Sequence, residues 1–246
     1  MERKIKEILG YNVDTFSFKE AVEYGEARIN AAQSTQVVTI NPEMIEMGEK
    51  NKELAGILKN ADLIVPDGVG IKIALKIQGF NQERVPGIEF SKEMIRFCAQ
   101  NSRKIALIGA SENVIQKAAE NLKKEFETLD IAYIHNGFFK EDDEAQIISE
   151  LENIKPSLIL VALGVPKQEY FINKYRKNLP NSMFIGVGGS FDVWSGEVQR
   201  APIAFQKLGC EWLYRVLKQP SRFKRIFPTL PMFLIKVIIE KVFRKK

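Results

Sequence analysis

The sequence has 246 residues, of which 45% are hydrophobic and 27% are charged, so it can bury a large core and is neither a disordered nor a fibrous chain. Its net charge of +5 is unevenly spread. Residues 1–199, the body, hold 24 Lys and Arg against 29 Asp and Glu, whereas residues 200–246, the tail, hold 12 against two. The basic tail predicts a polyanionic partner: a membrane surface, a nucleic acid or a phosphorylated ligand.

The few residues that favour metal or nucleophilic chemistry are scattered. His135 is the only histidine and lies in a strand-like segment, while Cys98 and Cys210 are the only cysteines. This spacing argues against a zinc site and against a Ser-His-Asp triad, and we expect no cofactor. The chain begins without an apolar signal segment, and its longest uncharged apolar stretch falls short of the roughly 20 residues that span a bilayer. We therefore expect a cytoplasmic protein.

The predicted elements alternate along the chain. An edge strand or hairpin is predicted over residues 4–13 and a helix over residues 18–32. Apolar, β-branched segments then predict strands over residues 36–40, 62–66, 104–108, 131–134, 158–163 and 183–187. Helical patterns follow over residues 42–60, 70–78, 89–101, 112–128, 141–153 and 167–178. This alternation predicts an α/β fold with a doubly wound, mostly parallel, Rossmann-like sheet.

The carboxyl ends of the predicted strands supply the candidate site, because ligands bind there in doubly wound sheets. Asp67 follows one strand, and its carboxylate is either a general base for a hydroxyl or the N-cap of the next helix. Asn41 faces the same choice, with the cap favoured because Pro42 follows it, although a shared side chain allows both roles. Thr39 is either a ligand contact or a packed strand residue.

Glycine-rich loops follow three other predicted strands. In the loop that begins at Gly164, Gln168 offers a donor and an acceptor to sugar hydroxyls, and a tight turn is the alternative. The glycines around Gly188, with Asp192 after them, predict an anion-binding loop, and Gly109 ends another strand. The chain has neither a G-x-G-x-x-G fingerprint nor a P-loop, which disfavours a dinucleotide-dependent oxidoreductase.

No acidic metal motif is evident. The chain lacks Asp-x-Asp, and the adjacent Asp142 and Asp143 are interpreted as solvated acids in the first turn of a helix. The charge of a bound diphosphate is then expected to meet arginines, lysines and helix N-termini.

The tail is predicted to be a basic amphipathic helical appendage. Apolar residues recur at helical spacing over residues 205–217, and a last helix after Pro231 has an apolar side and a side with Lys236 and Glu240. Such a helix favours a membrane interface. Packing on the body or on another subunit is the alternative, and nucleic acid ranks third because the aromatic residues are on the apolar side.

Five segments, in order, resemble the TagA/WecG/CpsF glycosyltransferases. They are residues 39–44 (TINPEM), 61–70 (ADLIVPDGVG), 84–87 (RVPG), 164–169 (GVPKQE) and 188–202 (GGSFDVWSGEVQRAP). The resemblance runs from about residue 7 to about residue 220. It departs from the family pattern at Glu89, where many relatives have Asp.

This resemblance implies an inverting, metal-independent transfer from a UDP-sugar to a sugar on undecaprenyl diphosphate. The expected partners are that donor, that acceptor and the inner membrane surface, with no nucleic acid, and a homo-oligomer is compatible with them. In the TagA branch the donor is UDP-N-acetylmannosamine and the acceptor carries N-acetylglucosamine, which gives the linkage disaccharide of wall teichoic acid.

The resemblance also implies roles for residues. Asp67 is the general base for the acceptor hydroxyl, with Thr39, Asn41 and Gln168 around the sugars. Without a metal motif, we expect cations to stabilise the departing UDP, and the candidates are Arg84, Arg215, Arg222 and Arg225. Two alternatives stay open: the same reaction with a mannosaminuronic acid or glucose nucleotide, and a non-catalytic module that binds nucleotide or lipid.

Overall fold

The N-terminal segment is a hairpin beside the main sheet. The structure, a computed structural model, describes residues 3–202, 205, 211, 213–214 and 223–244. Strands β1 (Ile5–Ile8) and β2 (Tyr11–Asp14) pair antiparallel, as one of the two predicted alternatives has it. Asp14 accepts a hydrogen bond of 2.7 Å from the backbone N–H of Ile64, so the hairpin lies against an edge strand of the main sheet.

Six parallel strands form the main sheet. They are β3 (Thr35–Ile40), β4 (Leu63–Pro66), β5 (Ile105–Gly109), β6 (Ile131–His135), β7 (Leu158–Ala162) and β8 (Met183–Gly186). Their order is β4-β3-β8-β7-β5-β6, and every neighbouring pair is parallel. The chain leaves β3 toward β4 but reaches β8 from the other side. The helix after β3 (Pro42–Lys50) packs on one face of the sheet and the helix after β8 (Ser190–Trp194) packs on the other, so the loops after these neighbouring strands diverge and open a crevice at the carboxyl edge.

Helices cover both faces of this sheet. They are α1 (Phe18–Asn30), α2 (Pro42–Lys50), α3 (Lys52–Lys59), α4 (Gly68–Ile77), α5 (Gly87–Gln100), α6 (Glu112–Glu125), α7 (Glu141–Ile154), α8 (Lys167–Tyr175), α9 (Ser190–Trp194) and α10 (Phe223–Arg244). Leu63 and Val65 pack with α1, α5, α6 and α9, whereas Ile64 packs with α2, α3, α4 and α10 on the other face. The doubly wound α/β prediction is confirmed.

The helix predicted over residues 42–60 is two helices. Asn51 separates α2 from α3 and is extended, with φ −135° and ψ 102°. Its Oδ1 accepts a hydrogen bond of 3.0 Å from the backbone N–H of Leu54, and its Nδ2 donates to the Tyr170 hydroxyl over 2.6 Å. An Asn that caps a new helix competes with continuation of the old one, and the tie to α8 fixes the break.

Helix α10 is longer than predicted. It runs through Pro228 and Pro231, so the expectation that it begins after Pro231 is wrong. Phe233 and Val237 are fully buried in the core that α10 shares with α2, α3 and α4, and this packing opposes the disruption that prolines cause in a helix. The helix predicted over residues 205–217 lies mostly outside the described residues.

The two sides of α10 differ in polarity. Toward the body, Lys236 Nζ is 2.8 Å from Glu46 Oε1, and Glu240 Oε2 accepts hydrogen bonds of 3.2 Å from the Leu9 N–H and the Gln78 amide. Away from the body lie six apolar side chains that are 49–69% exposed, here called the outer stripe: Met232, Ile235, Ile238, Ile239, Val242 and Phe243. Among the described residues, no helix combines the length and the apolar character needed to traverse a bilayer.

Candidate active site

A cavity of about 290 Å³ opens at the carboxyl ends of β3, β4 and β8. The first turns of α2, α4 and α5 line it, together with Leu230 of α10. Gly70 makes this fit possible, because a Cβ there would lie 2.4 Å from Pro42 and 2.8 Å from Leu230. Three helix N-termini carry partial positive charge, so the crevice favours an anionic ligand.

Asp67 lies in this crevice at the end of β4. Its Oδ1 accepts a hydrogen bond of 2.7 Å from the Gly68 N–H, and the Gly87 N–H also donates to its carboxylate. Asp67 is thus the N-cap of α4, and it also holds the first turn of α5, whose own N-cap Pro86 has no side-chain acceptor. The predicted cap role is confirmed, and the position leaves the carboxylate within reach of a ligand.

Opposing effects act on the pKa of Asp67. Loss of hydration raises the pKa of its carboxyl group, and the negative charge of Glu211 raises it further. The positive charge of Arg84 and the N–H groups of Gly68 and Gly87 lower it. The net direction is upward, and a carboxylate with a raised pKa is a better proton acceptor.

Thr39 and Asn41 flank Asp67 from β3. Gly87 lies close to Thr39: a Cβ on Gly87 would be 2.8 Å from the methyl group of Thr39 and 3.0 Å from the hydroxyl oxygen of Thr39. Asn41 Oδ1 accepts a hydrogen bond of 3.1 Å from the Met44 N–H and caps α2, as predicted. The cap uses the oxygen of this amide, which leaves its N–H groups as the part that could donate to a ligand.

An ion pair joins the tail to the crevice. Arg84 Nη2 donates to Glu211 Oε1 over 2.6 Å, and the two side chains are only 16% and 12% exposed. Arg200 lies 3.9 Å from the same oxygen and also pairs with Glu89. The guanidinium groups of Arg84 and Arg200 therefore both lie within 4 Å of one carboxylate oxygen of the tail.

Gln168 is buried beside the crevice, where it forms a hydrogen bond with the loop after β8. It is 3% exposed, its Nε2 donates to Glu169 Oε1 over 2.8 Å, and its Oε1 accepts from the Gly188 N–H over 3.2 Å. Gly186 leaves room for this amide, because a Cβ there would lie 2.4 Å from Nε2. Gly188 itself lies between the lining residues Val187 and Gly189. A contact between Gln168 and a sugar stays a prediction.

Gly109 is the last residue of β5 and Asp192 lies in α9, and neither is among the described residues that line the crevice. Gly109 has φ 125°, and a Cβ there would lie 2.3 Å from the Ala162 carbonyl oxygen, so strand packing explains this glycine. The Asp192 carbonyl accepts a hydrogen bond of 2.9 Å from the Val198 N–H. Ligand contacts by Gly109 and Asp192 stay predictions.

The three tail arginines that were predicted to contact a phosphate fall mostly outside the described residues. Arg215, Arg222 and the side chain of Arg225 lie outside the described part of the chain. The backbone of Arg225 is one turn before Thr229, which lines the crevice. Their proposed contacts with a phosphate stay predictions.

Three site residues were not assigned from sequence. Glu211 and Leu230 line the crevice, and Glu169 holds Gln168. The sequence could have indicated a role for Glu211, since it is one of only two acids in the basic tail. Glu169 resembles an ordinary acid in a first helical turn, and nothing local marks Leu230.

Comparison with known proteins identifies the family. Residues 6–246 match the model of the glycosyl transferase WecG/TagA/CpsF family. Proteins named N-acetylglucosaminyldiphosphoundecaprenol N-acetyl-beta-D-mannosaminyltransferase are similar to it. That of Bacillus spizizenii strain W23 is 34% identical over 203 residues, which are 82% of this chain and 78% of the relative.

Two further relatives carry the same name. That of Bacillus subtilis strain 168 is 32% identical over 95% of this chain and 90% of its own length, and that of Staphylococcus aureus strain MW2 is 32% identical over 94% and 91%. The family match spans nearly all of the sequence, which confirms the resemblance carried by the five segments. The chain belongs to the WecG/TagA/CpsF family of glycosyltransferases.

Proposed function

We propose that this protein transfers N-acetylmannosamine from UDP-N-acetylmannosamine to undecaprenyl-diphosphate N-acetylglucosamine and so makes the linkage disaccharide of wall teichoic acid. The names of its relatives support this acceptor and this sugar. The observation that carries the proposal is the position of Asp67 in a crevice that Arg84 and three helix N-termini make favourable for a diphosphate.

Asp67 is the general base in this proposal. The acceptor hydroxyl loses its proton to the Asp67 carboxylate while its oxygen attacks the anomeric carbon. The bond from that carbon to UDP breaks, and its electron pair stays on the β-phosphate oxygen. A single displacement of this kind inverts the anomeric carbon, so an α-linked nucleotide sugar gives the β product that the relatives' names state. The Gly68 and Gly87 N–H groups keep the carboxylate in place.

Arg84 and the helix N-termini take up the charge of the departing UDP without a divalent cation. Among the described residues, no three His, Cys, Asp or Glu side chains group as metal ligands. Three helix N-termini and a guanidinium supply positive charge at the crevice. Arg215, Arg222 and Arg225 are proposed to add to it.

The tail also brings the enzyme to its lipid substrate in this proposal. The outer stripe offers apolar side chains to the interface of the inner membrane leaflet, and the basic residues of the tail favour anionic lipids there. Removal of the whole tail is a poor test, because Phe233 and Val237 belong to the core. Point substitutions at Arg215, Arg222 and Arg225 are cleaner, and each is expected to slow transfer.

A donor panel with a chelator tests the function. The protein is incubated with lipid-diphosphate N-acetylglucosamine, EDTA and, in turn, the UDP derivatives of N-acetylmannosamine, N-acetylmannosaminuronic acid and glucose, and released UDP is measured. Release with N-acetylmannosamine alone is expected. Release with another sugar assigns a different donor. UDP-sugar binding without any release indicates the non-catalytic module, and activity that needs added Mg²⁺ contradicts metal independence.

A further inference from the structure

Glu169 is a buried acid that the proposed reaction does not use. It is 2% exposed, and burial raises the pKa of its carboxyl group to about 7. Its Oε1 accepts the hydrogen bond from Gln168, while its Oε2 has no hydrogen-bond partner among the described residues. An apolar residue of similar size would avoid the desolvation of a half-satisfied acid, so stability alone does not explain Glu169.

The acceptor atom of Glu169 selects one orientation of the Gln168 amide. The amide has two orientations that exchange its oxygen and its nitrogen. With Nε2 toward Glu169, the oxygen accepts from the Gly188 N–H, and both hydrogen bonds form. In the reverse orientation, an N–H group would face the Gly188 N–H, so that bond would be lost in either protonation state of Glu169. An oxygen would face the Glu169 oxygen, so the second bond would be lost while Glu169 is ionised.

The Gly188 N–H belongs to the turn that forms one wall of the crevice. Gly188 has φ 49°, a left-handed conformation, and its neighbours Val187, Gly189 and Ser190 line the cavity. The bond from Gln168 ties this turn to α8. A substitution at Glu169 therefore affects the shape of the crevice through two hydrogen bonds, from Gln168 to Glu169 and from the Gly188 N–H to Gln168.

We propose that Glu169 is a positioning residue that fixes the Gln168 amide so that Gln168 holds the Gly188 turn in the shape that receives the nucleoside diphosphate. This inference rests on the proposed function, since it takes the crevice to be the UDP site. Glu169 itself touches neither substrate nor reacting atoms.

Two substitutions at position 169 separate positioning from stability, with UDP as the probe. Glu169→Met keeps the length of the side chain but accepts no hydrogen bond. We expect UDP to bind roughly fivefold to tenfold more weakly to it, as for the loss of one hydrogen bond. Its Tm should stay close to that of the wild type, because removal of a buried carboxyl group offsets the loss of an acceptor for Gln168 Nε2. Glu169→Gln keeps an acceptor for Gln168 but buries an extra N–H group. We expect wild-type UDP affinity within about twofold and a lower Tm.

The affinity and the Tm are thus expected to rank these two variants in opposite orders. Calorimetry gives the Kd of UDP, and a thermal melt gives the Tm. Glu53→Met, which removes an exposed acid from the first turn of α3, is the matched control and should change neither. UDP affinity that follows Tm, or an unchanged Kd for Glu169→Met, overturns the proposal.

A double substitution tests the route through Gln168. If Glu169 acts only by fixing this amide, Gln168→Met alone should weaken UDP binding as much as the Gln168→Met, Glu169→Met pair. Additive effects overturn the route. If Glu169→Met does not fold, Glu169→Ala takes its place, and failure of both to fold assigns Glu169 to stability and overturns the proposal. A wild-type protein that binds no UDP contradicts the proposed function as well, which distinguishes the two failures.

Discussion

The crevice and the outer stripe both involve α10 but differ in their physical chemistry. In the crevice, Asp67 and Arg84 are held by backbone N–H groups and by an ion pair at defined distances. On the outer stripe, which begins two residues after Leu230, six apolar side chains are about half exposed and make no fixed polar contact. Hydrogen bonds and ion pairs fix the position of a group that must approach one reacting atom. An apolar stripe has no such directional requirement, because its contribution to binding depends on the apolar area that it buries.

The comparison predicts that substitutions in the crevice change the rate of transfer, while those on the outer stripe change the association of the protein with membranes.

The largest expected effect is that of Asp67→Asn. Asn still caps a helix, so the fold should survive, but it accepts no proton. We expect transfer to fall by about a hundredfold or more, measured as the initial rate of UDP release. Asp142→Asn, in an exposed first turn, should leave the rate unchanged, and normal turnover by Asp67→Asn would refute the base assignment.

The two sides of α10 give the next largest contrast. Phe233 is fully buried and Met232 is 52% exposed. Phe233→Ala should lower the free energy of unfolding by about 3–5 kcal/mol because it opens a cavity in the core. Met232→Ala should change it by less than about 0.5 kcal/mol. Urea denaturation measures both, and equal losses would contradict the packing of α10 on the body.

Vesicle binding tests the outer stripe itself. Ile235→Ser with Ile239→Ser removes two exposed apolar side chains, and we expect at least a roughly tenfold weaker association with vesicles that contain phosphatidylglycerol. Phe138→Ser is the matched control, since Phe138 is an 83% exposed apolar residue in the loop after β6. Equal losses in the two variants would show that any exposed apolar residue suffices, and unchanged binding would exclude the stripe as the membrane contact.

The smallest expected effect is a shift of the pH profile. Transfer needs ionised Asp67, so the rate falls as the pH drops through its pKa. Glu211→Gln removes a negative charge that raises this pKa, so the acid limb should move to lower pH. Arg84→Gln removes a positive charge that lowers it, so the limb should move to higher pH. Lys117→Gln, at an exposed position of α6, should leave the profile unchanged. Shifts in the same direction for both crevice variants would contradict the electrostatic account.

The layout of the sheet and the position of Asp67 were predictable from sequence because local signals and a topological rule agree. Apolar segments between helical patterns define a parallel sheet, and ligands bind where its strands end. Thr39, Asn41 and Asp67 lie in the crevice for this reason, whereas Arg84, in the loop between α4 and α5, was assigned through the resemblance to the family. Their roles in transfer stay predictions, since position alone does not show chemistry.

Long-range contacts account for what was missed. The carboxylate that pairs with Arg84 comes from Glu211, 127 residues further along the chain. The break at Asn51 depends on Tyr170, 119 residues away. Likewise, Pro231 signals the end or start of a helix locally, but the burial of Phe233 favours an uninterrupted α10. In each case, a partner that no sequence window contains outweighs the local preference.

The absent side chain of Gly70 has a thermodynamic consequence. The first turn of α4 lines the crevice and also packs against Leu230 of α10. Pro42, Gly70 and Leu230 lie so close together there that no space remains for a methyl group on Gly70. If a ligand binds this wall more tightly when α10 is packed against it, ligand occupancy and the packing of α10 are linked equilibria. By reciprocity, whatever factor a ligand contributes to the seating of the helix, the seated helix contributes to the affinity for that ligand.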